Sequence, residues 1–168
     1  MYAHTSYNGL TGKGKFKKAQ PDIRHFATLY PATFQVAVRK DSSIKTFADM
    51  KGANLSPGKA KWTGTAFAES ILKAYGISFA DIKKNGGTVH HVSYSESVAL
   101  MKDKHIEVFM GATSMPQASF LELEHSPGIR FIGMTKAKLD EIMAANPGYI
   151  PGMMPKGVYA AVDKDLHT

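Results

Sequence analysis

Two hydrophobic periods alternate along this chain, one typical of strands and one typical of helices. Residues 34–38 alternate large apolar side chains with polar or small ones, which predicts a β-strand. In residues 65–75 the large apolar side chains recur every four positions, which predicts a helix with one buried face that ends at Gly76. Similar patterns predict strands at residues 55–57, 88–92, 106–110, 129–132 and 158–162, and helices at residues 46–50, 78–84, 93–102, 116–123 and 136–145. Because strands alternate with helices, we expect an α/β domain with a largely parallel sheet and ligands outside the carboxyl ends of its strands.

Three segments show neither period and are predicted to be irregular. Residues 1–22 are rich in glycine and contain Pro21, so we expect loops there. Residues 40–45 have no apolar periodicity and would connect two parts of the chain. Residues 111–115 follow a predicted strand and are expected to form a polar turn.

The bend before the 65–75 helix carries the most specific chemistry in the sequence. Thr63 and Thr65 offer hydroxyl groups, and Gly64 between them lets the backbone approach a bound group closely. The first N–H groups of a helix have no partner within the helix, so a helix that starts in such a bend favours a bound anion such as a carboxylate. The alternative is that Thr65 only caps the helix and the loop is solvated. Trp62 would either stack on a ligand or cover the loop.

The net charge of +7 is concentrated near the start of the chain. Residues 1–45 hold eight lysines and arginines against two aspartates, whereas the remaining residues are nearly neutral. An alternative function therefore has to be considered, in which residues 12–24 are a basic interaction module that binds nucleic acid or another polyanion. No recognised nucleic-acid motif accompanies this run, and such runs are usually solvated loops.

Composition excludes several other classes of function. The 168 residues, 43% of them hydrophobic, can bury a core, and no apolar run is long enough to span a membrane. The chain has no cysteine, and no apolar segment of an export signal follows Met1. His90 and His91 are adjacent on a predicted strand, so they point to opposite faces and cannot chelate one metal. We therefore expect no catalytic residues, no metal site and no cofactor.

Several segments, in one register, resemble one family. Residues 58–65 match its glycine-bearing ligand loop, and residues 93–97 match its serine-rich helix start. The other matching segments are residues 24–31, 36–39, 44–52, 72–76, 106–109 with Pro116, and 155–159. Together they resemble the TAXI-type solute receptors of tripartite (TRAP) transporters over nearly the whole chain.

The resemblance implies the fold of a type II periplasmic binding protein, in which two α/β lobes enclose a small organic acid such as glutamate or 2-oxoglutarate. It implies a periplasmic receptor that delivers this acid to TRAP membrane permease subunits, with no nucleic-acid partner. The chain would hold one complete lobe and parts of the other. Residues 1–42 would be part of the first lobe, residues 43–152 the second lobe, and residues 153–168 the return to the first lobe.

The family's ligand positions transfer to two short segments and one isolated residue. They fall on Trp62, Thr63, Gly64, Thr65, Gly111, Ala112 and Thr113, and on Tyr30 near the hinge. Two departures from the family pattern stand out. Residues 59–62 replace small glycine or serine residues, and Lys59 or Lys61 would then pair with a second carboxylate or remain solvated. Lys104 and Glu107 stand where glycine and aspartate are common.

A single lobe offers only half of the contacts that a two-lobed cleft makes with its ligand, and it cannot close around the ligand. We therefore expect weak or undetectable binding of the acid by this chain, and micromolar binding in a calorimetric titration would contradict that expectation. Strands that lack first-lobe partners would leave unpaired backbone N–H and C=O groups at their edges, which predicts association into a homodimer.

Overall fold

The computed structural model describes residues 2–24, 27 and 31–168, and it confirms the predicted α/β class. The helices are α1 (Tyr2–Thr11), α2 (Thr63–Ala74), α3 (Phe79–Lys84), α4 (Tyr94–Lys102), α5 (Ala118–His125) and α6 (Lys136–Ala145), with a 3₁₀ helix at Phe47–Gly52. The strands are β1 (Thr33–Arg39), β2 (Asn54–Ser56), β3 (Thr88–Val89), β4 (Val108–Thr113), β5 (Ile129–Phe131), β6 (Met153–Met154) and β7 (Leu166–His167). No helix among the described residues is long and apolar enough to cross a membrane.

Five strands form one sheet in the order β3-β2-β4-β1-β5, and β6 pairs with β7 separately. Strand β2 runs parallel to β3 and β4, whereas β1 runs antiparallel to both of its neighbours, β4 and β5. The sheet is therefore mixed rather than largely parallel as predicted: β2, β3, β4 and β5 share one direction, and the reversed strand β1 makes the longest pairing. Its edge strands β3 and β5 have two and three residues, and the predicted homodimer through strand edges stays a prediction.

Helices cover both faces of the sheet, which makes three layers. On one face Val36 and Val38 of β1 pack with the apolar sides of α2 and α6. On the other face Ala37 packs in a second cluster with the apolar sides of α4 and α5. Because both faces are covered, β1 is buried at every position from residue 33 to 38, including Gln35.

Three segments differ from the sequence prediction because contacts between distant parts of the chain decide them. Residues 2–11 are helical rather than looped, and Gly9 is buried beside Phe16 and Ile23. Residues 111–113 were predicted to be a turn, but they continue β4 because β1 is long enough to pair with them. Residues 158–162, predicted to be a strand, form turns outside both sheets.

The division into lobes at residues 42 and 152 stays a prediction. Strand β1, which the prediction assigns to the first lobe, pairs with β4 and β5 of the predicted second lobe. Residues 153–154 and 166–167 pair with each other outside the five-stranded sheet.

The turn between α4 and β4 contains a lysine in a backbone conformation that favours glycine. Lys104 has φ of 62°, in the left-handed region, where a side chain costs about 1 kcal/mol. We predict that Lys104→Gly raises the free energy of unfolding by about 0.5 kcal/mol, since relief of this cost exceeds the added chain entropy. Urea unfolding measures it, and Lys83→Gly in the last turn of α3 should instead lower stability. A loss of stability in Lys104→Gly would contradict the prediction.

Three helix starts are closed by carboxylates, which makes stability depend on pH. The Ser78 hydroxyl and N–H donate to Asp81, and the Ser93 hydroxyl and N–H donate to Glu96, so the pKa of each carboxyl is lowered. Asp49 is held in the same way, and its pKa is lowered first by the Lys45 N–H.

Carboxyls with a lowered folded pKa stabilise the fold above their unfolded pKa of about 4 and lose this contribution as pH falls through the folded value. We therefore predict that stability declines as pH drops from about 5 toward 2. The decline should be smaller in Asp81→Asn, measured by urea unfolding across this range. An identical decline in the variant would exclude Asp81 as a cause.

Candidate functional site

The carboxyl ends of three parallel strands meet at one edge of the sheet. The strands β2, β3 and β4 end there, and the loops that follow them lead directly into α2, α4 and α5. These three loops are residues 57–62, 90–93 and 114–117. Ligands of α/β proteins bind outside this kind of edge, so we call it the carboxyl edge and take it as the candidate site.

A depression of about 540 Å³ opens between two of these loops. It is lined by Lys59, Ala60, Lys61, Trp62, His91, Val92 and Glu96. Both lysines are exposed, whereas the Glu96 carboxylate is already engaged by Ser93 at the start of α4. The side chains left to meet a ligand are therefore mainly cationic and aromatic.

The first turn of α2 begins at this edge with unpaired backbone donors, although Gly64 and Thr65 are buried and none of its first three residues lines the depression. No described residue accepts a hydrogen bond from the N–H of Thr63, Gly64 or Thr65, and Trp62 at the N-cap makes no side-chain cap. The helix has twelve residues, and its dipole adds positive potential at these groups. The bend predicted from the sequence is thus present, with its donors unpaired.

The Thr65 hydroxyl is turned inward and holds the loop. It lies within 3.1, 3.2 and 2.9 Å of the carbonyl oxygens of Pro57, Gly58 and Lys59, and the residue is 2% exposed. This hydroxyl is therefore engaged, and only its backbone N–H remains for a ligand. Thr63 is half-buried, and no described residue forms a hydrogen bond with its hydroxyl.

Trp62 lies at the rim of the depression and is 40% exposed. Its ring meets the Tyr94 ring edge to face, with centroids 5.1 Å apart, and Lys59 Nζ lies 5.7 Å from its centroid. One side of the indole is thus packed while the other remains accessible. The geometry fits both interpretations made from the sequence, stacking on a ligand and covering the loop.

Tyr94 is the residue of this site that the sequence analysis did not identify. A Cβ on Gly58, Gly64 or Gly111 would come within 3.1 to 3.4 Å of its ring or hydroxyl, so three glycines from separate segments make room for one side chain. Its hydroxyl accepts the Ala112 N–H at 3.0 Å, and burial raises the pKa of the phenol. The sequence signal was its position directly after the capping Ser93, which places it at the carboxyl edge.

Tyr94 also brings together the two predicted ligand segments. Through its ring and hydroxyl it contacts Trp62 and Gly64 on one side, and Gly111 and Ala112 on the other. Thr113 follows at the end of β4. Tyr30 lies outside the described residues.

No cluster of three or more metal-binding side chains occurs within residues 2–24, 27 and 31–168. His90 Nε2 lies 3.0 Å from the Thr88 hydroxyl, whereas His91 Nδ1 lies 3.4 Å from the Gly58 carbonyl oxygen. The two histidines therefore have different neighbours, as expected for adjacent positions on an extended chain.

The contact between Tyr94 and Trp62 can be tested by fluorescence, because Trp62 is the only tryptophan in the chain. We predict that Tyr94→Ala shifts the emission maximum of Trp62 to longer wavelength, since removal of the ring exposes the indole to water. Tyr94→Phe keeps the ring and should leave the maximum nearly unchanged. Equal spectra for Tyr94→Ala and the unaltered protein would contradict the packing.

The NMT1-like family matches residues 1–168, the full length of this chain.

The chain is also similar to solved structures of binding proteins. The periplasmic aliphatic sulphonate binding protein SsuA from Escherichia coli is 19% identical, with a TM-score of 0.48 over 60% of this chain and 30% of that one. The alkanesulfonate-binding protein SsuA from Xanthomonas axonopodis pv. citri, bound to MOPS, is 20% identical, with a TM-score of 0.48 over 60% and 32%. Substrate-binding domain 2 of GlnP from Lactococcus lactis is 17% identical, with a TM-score of 0.42 over 73% and 53%. The chain spans about a third of the length of the two SsuA proteins.

Proposed function

Because this chain belongs to the NMT1-like family over its full length, we propose that it is part of an extracytoplasmic solute receptor. In this proposal it serves a TRAP permease, is of the TAXI type, and binds without catalysis. The resemblance of residues 58–65 and 93–97 to the loops of TAXI receptors supports this assignment. The five-stranded sheet would be one lobe of the receptor, with β1 as its entering strand.

The ligand in this proposal is a small organic acid held at the carboxyl edge. The observation that carries it is the set of unpaired N–H groups on Thr63, Gly64 and Thr65, at the start of a long helix whose N-cap residue, Trp62, lines the depression. Such groups bind carboxylates because donors and dipole act together. Tyr94, whose hydroxyl already accepts the Ala112 N–H, keeps its own proton for a further acceptor.

Lys59 and Lys61 support a ligand with two acidic groups, such as glutamate or 2-oxoglutarate. Both lysines line the depression, and neither forms an ion pair within the described residues. One carboxylate would meet the N–H groups of α2, and the other would meet a lysine. Trp62 would cover the ligand with the exposed side of its ring.

A second candidate function is polyanion binding through residues 12–24. Lys13, Lys15, Lys17 and Lys18 are all exposed and form no ion pair within the described residues. Such binding would weaken steeply with added salt, whereas binding of a small acid at the carboxyl edge would depend on salt weakly. Titration of a DNA or RNA oligonucleotide at two salt concentrations separates the two candidates.

The N–H group of Thr63 can be removed by itself, because Thr63 is the first residue of α2. Proline is favoured at this position and removes the N–H, and Trp62 already has the extended backbone, with φ of −78° and ψ of 150°, that must precede proline. We predict that Thr63→Pro weakens binding of 2-oxoglutarate about tenfold, because a hydrogen bond to a charged group is lost, without loss of stability. Nuclear magnetic resonance titration at millimolar ligand measures the affinity.

Thr63→Ala is the matched control, since it removes the hydroxyl and keeps the N–H. It should weaken binding less than Thr63→Pro. Equal affinity of Thr63→Pro and the unaltered chain would reject the α2 start as the anion site. Calorimetry on one lobe is expected to show little binding, so the ligand class is judged by amide shifts at millimolar acid, and no shift with either acid would reject it.

A further inference from the structure

A fully buried polar network lies beside the carboxyl edge, on the side of the sheet away from α2. Gln35 in β1 is 0% exposed and Tyr159 is 1% exposed. The Tyr159 hydroxyl lies 2.5 Å from Gln35 Oε1 and 2.8 Å from the Gln117 N–H nitrogen. Three distant parts of the chain, β1, the 114–117 loop and the C-terminal turns, therefore share one hydroxyl group.

The direction of each hydrogen bond follows from the chemistry of the partners. The Gln117 N–H can only donate, so the Tyr159 oxygen accepts it and the Tyr159 proton goes to Gln35 Oε1. The Gln35 amide nitrogen then faces the carbonyl oxygens of Thr113 and Ser114, at 3.3 and 3.2 Å, and these can only accept. The opposite orientation of the Gln35 amide would set its oxygen against these two carbonyl oxygens, so only this one satisfies its three partners.

Burial favours the protonated form of the Tyr159 hydroxyl, on which this arrangement depends. It raises the pKa of the Tyr159 phenol to about 12, so the hydroxyl remains a donor at physiological pH. The Tyr159 ring stacks on Phe131 at 4.7 Å and meets Phe120 at 6.1 Å, which holds the hydroxyl in place.

The network ends on residues that form the candidate site. Thr113 is one of the predicted ligand residues, and Gln117 caps α5 through Oε1, which accepts the N–H groups of Ser119 and Phe120. Gln117, at one end of the 114–117 loop, is hydrogen-bonded directly to Tyr159, and Ser114, at the other end, is linked to Tyr159 through Gln35. Both ends of the loop are therefore held by one side chain that lies outside the sheet.

We infer that Tyr159 is a positioning residue for the candidate site, whose hydroxyl fixes the 114–117 loop at the carboxyl edge. One consequence of this inference is that ligand affinity depends on the C-terminal turns. That consequence rests on the proposed function. Tyr159 does not itself contact the ligand in this scheme, and it acts through Gln35 and Gln117.

Tyr159→Phe removes the hydroxyl and keeps the ring. It leaves Gln35 Oε1 and the Gln117 N–H without partners in the interior, so we expect hydrogen exchange at the Gln117 amide to become about tenfold faster. Exchange at amides of α2 should change little. The affinity for 2-oxoglutarate should fall at the same time, at a temperature where the variant is still fully folded.

Two controls separate positioning from a general loss of stability. Ile82→Val lowers stability at a buried site in α3, and Tyr75→Phe removes a hydroxyl at the far end of α2. Neither should change the affinity or the exchange of Gln117. If Ile82→Val weakens binding as much as Tyr159→Phe does, the role of Tyr159 is only structural and the inference fails.

Exchange in the unaltered chain gives a test that needs no variant. The Gln117 amide should exchange slowly, and exchange at the rate of an exposed amide would overturn the inference. If neither glutamate nor 2-oxoglutarate shifts any amide signal of the unaltered chain at millimolar concentration, the proposed function fails, while the exchange of Gln117 still decides whether Tyr159 fixes the loop.

Discussion

The pairing of β1 with β4 is the constraint on which the rest of the structure depends. Residues 33–38 pair in register with residues 113–108, and both strands are buried on both faces. Because β4 is anchored along this length, it runs four residues past the end of β2 and reaches the starts of α2 and α4, where Gly64 and Tyr94 lie against Ala112. The same burial forces Gln35 to find partners inside the protein, and it does so among the loops of the candidate site. The pairing of β1 with β4 therefore determines both the arrangement of the sheet and the position of the loops at the candidate site.

Local signals in the sequence predicted local structure well. The bounds of α6 agree with the predicted residues 136–145, and the Ser93 and Glu96 pair marks the start of α4 as expected. Residues 111–113 were missed because their glycine and polar side chains indicate a turn, and only the distant strand β1 makes them extended. Residues 158–162 were predicted wrongly because their apolar side chains, Tyr159 and Val162 above all, pack in the cluster with α5 and β5 and have no strand partner.

The candidate site shows the same limit. The bend at residues 62–65 could be predicted because its threonines, its glycine and the helix that follows are adjacent in the chain. Tyr94 could not be predicted in this way, since the glycines that accommodate it are far apart in sequence and converge only in the folded protein. Its position after Ser93 places Tyr94 at the carboxyl edge, but close approach of distant segments has no periodic signature, so no pattern in the chain marks its contacts with the three glycines.

The inward hydroxyl of Thr65 has a consequence for the electrostatics of the rim. It donates its one proton among the carbonyl oxygens of residues 57, 58 and 59, and all three lie within 3.2 Å of it, so the negative ends of these dipoles face the buried Thr65 side chain. An acid bound as proposed would therefore meet little electron-rich backbone on that wall. A valine of the same shape would leave these oxygens without the hydroxyl and free to compete for the donors at the start of α2. In the proposed function the Thr65 side chain would thus keep the entrance electropositive by its contact with the loop alone, while its backbone N–H meets the acid.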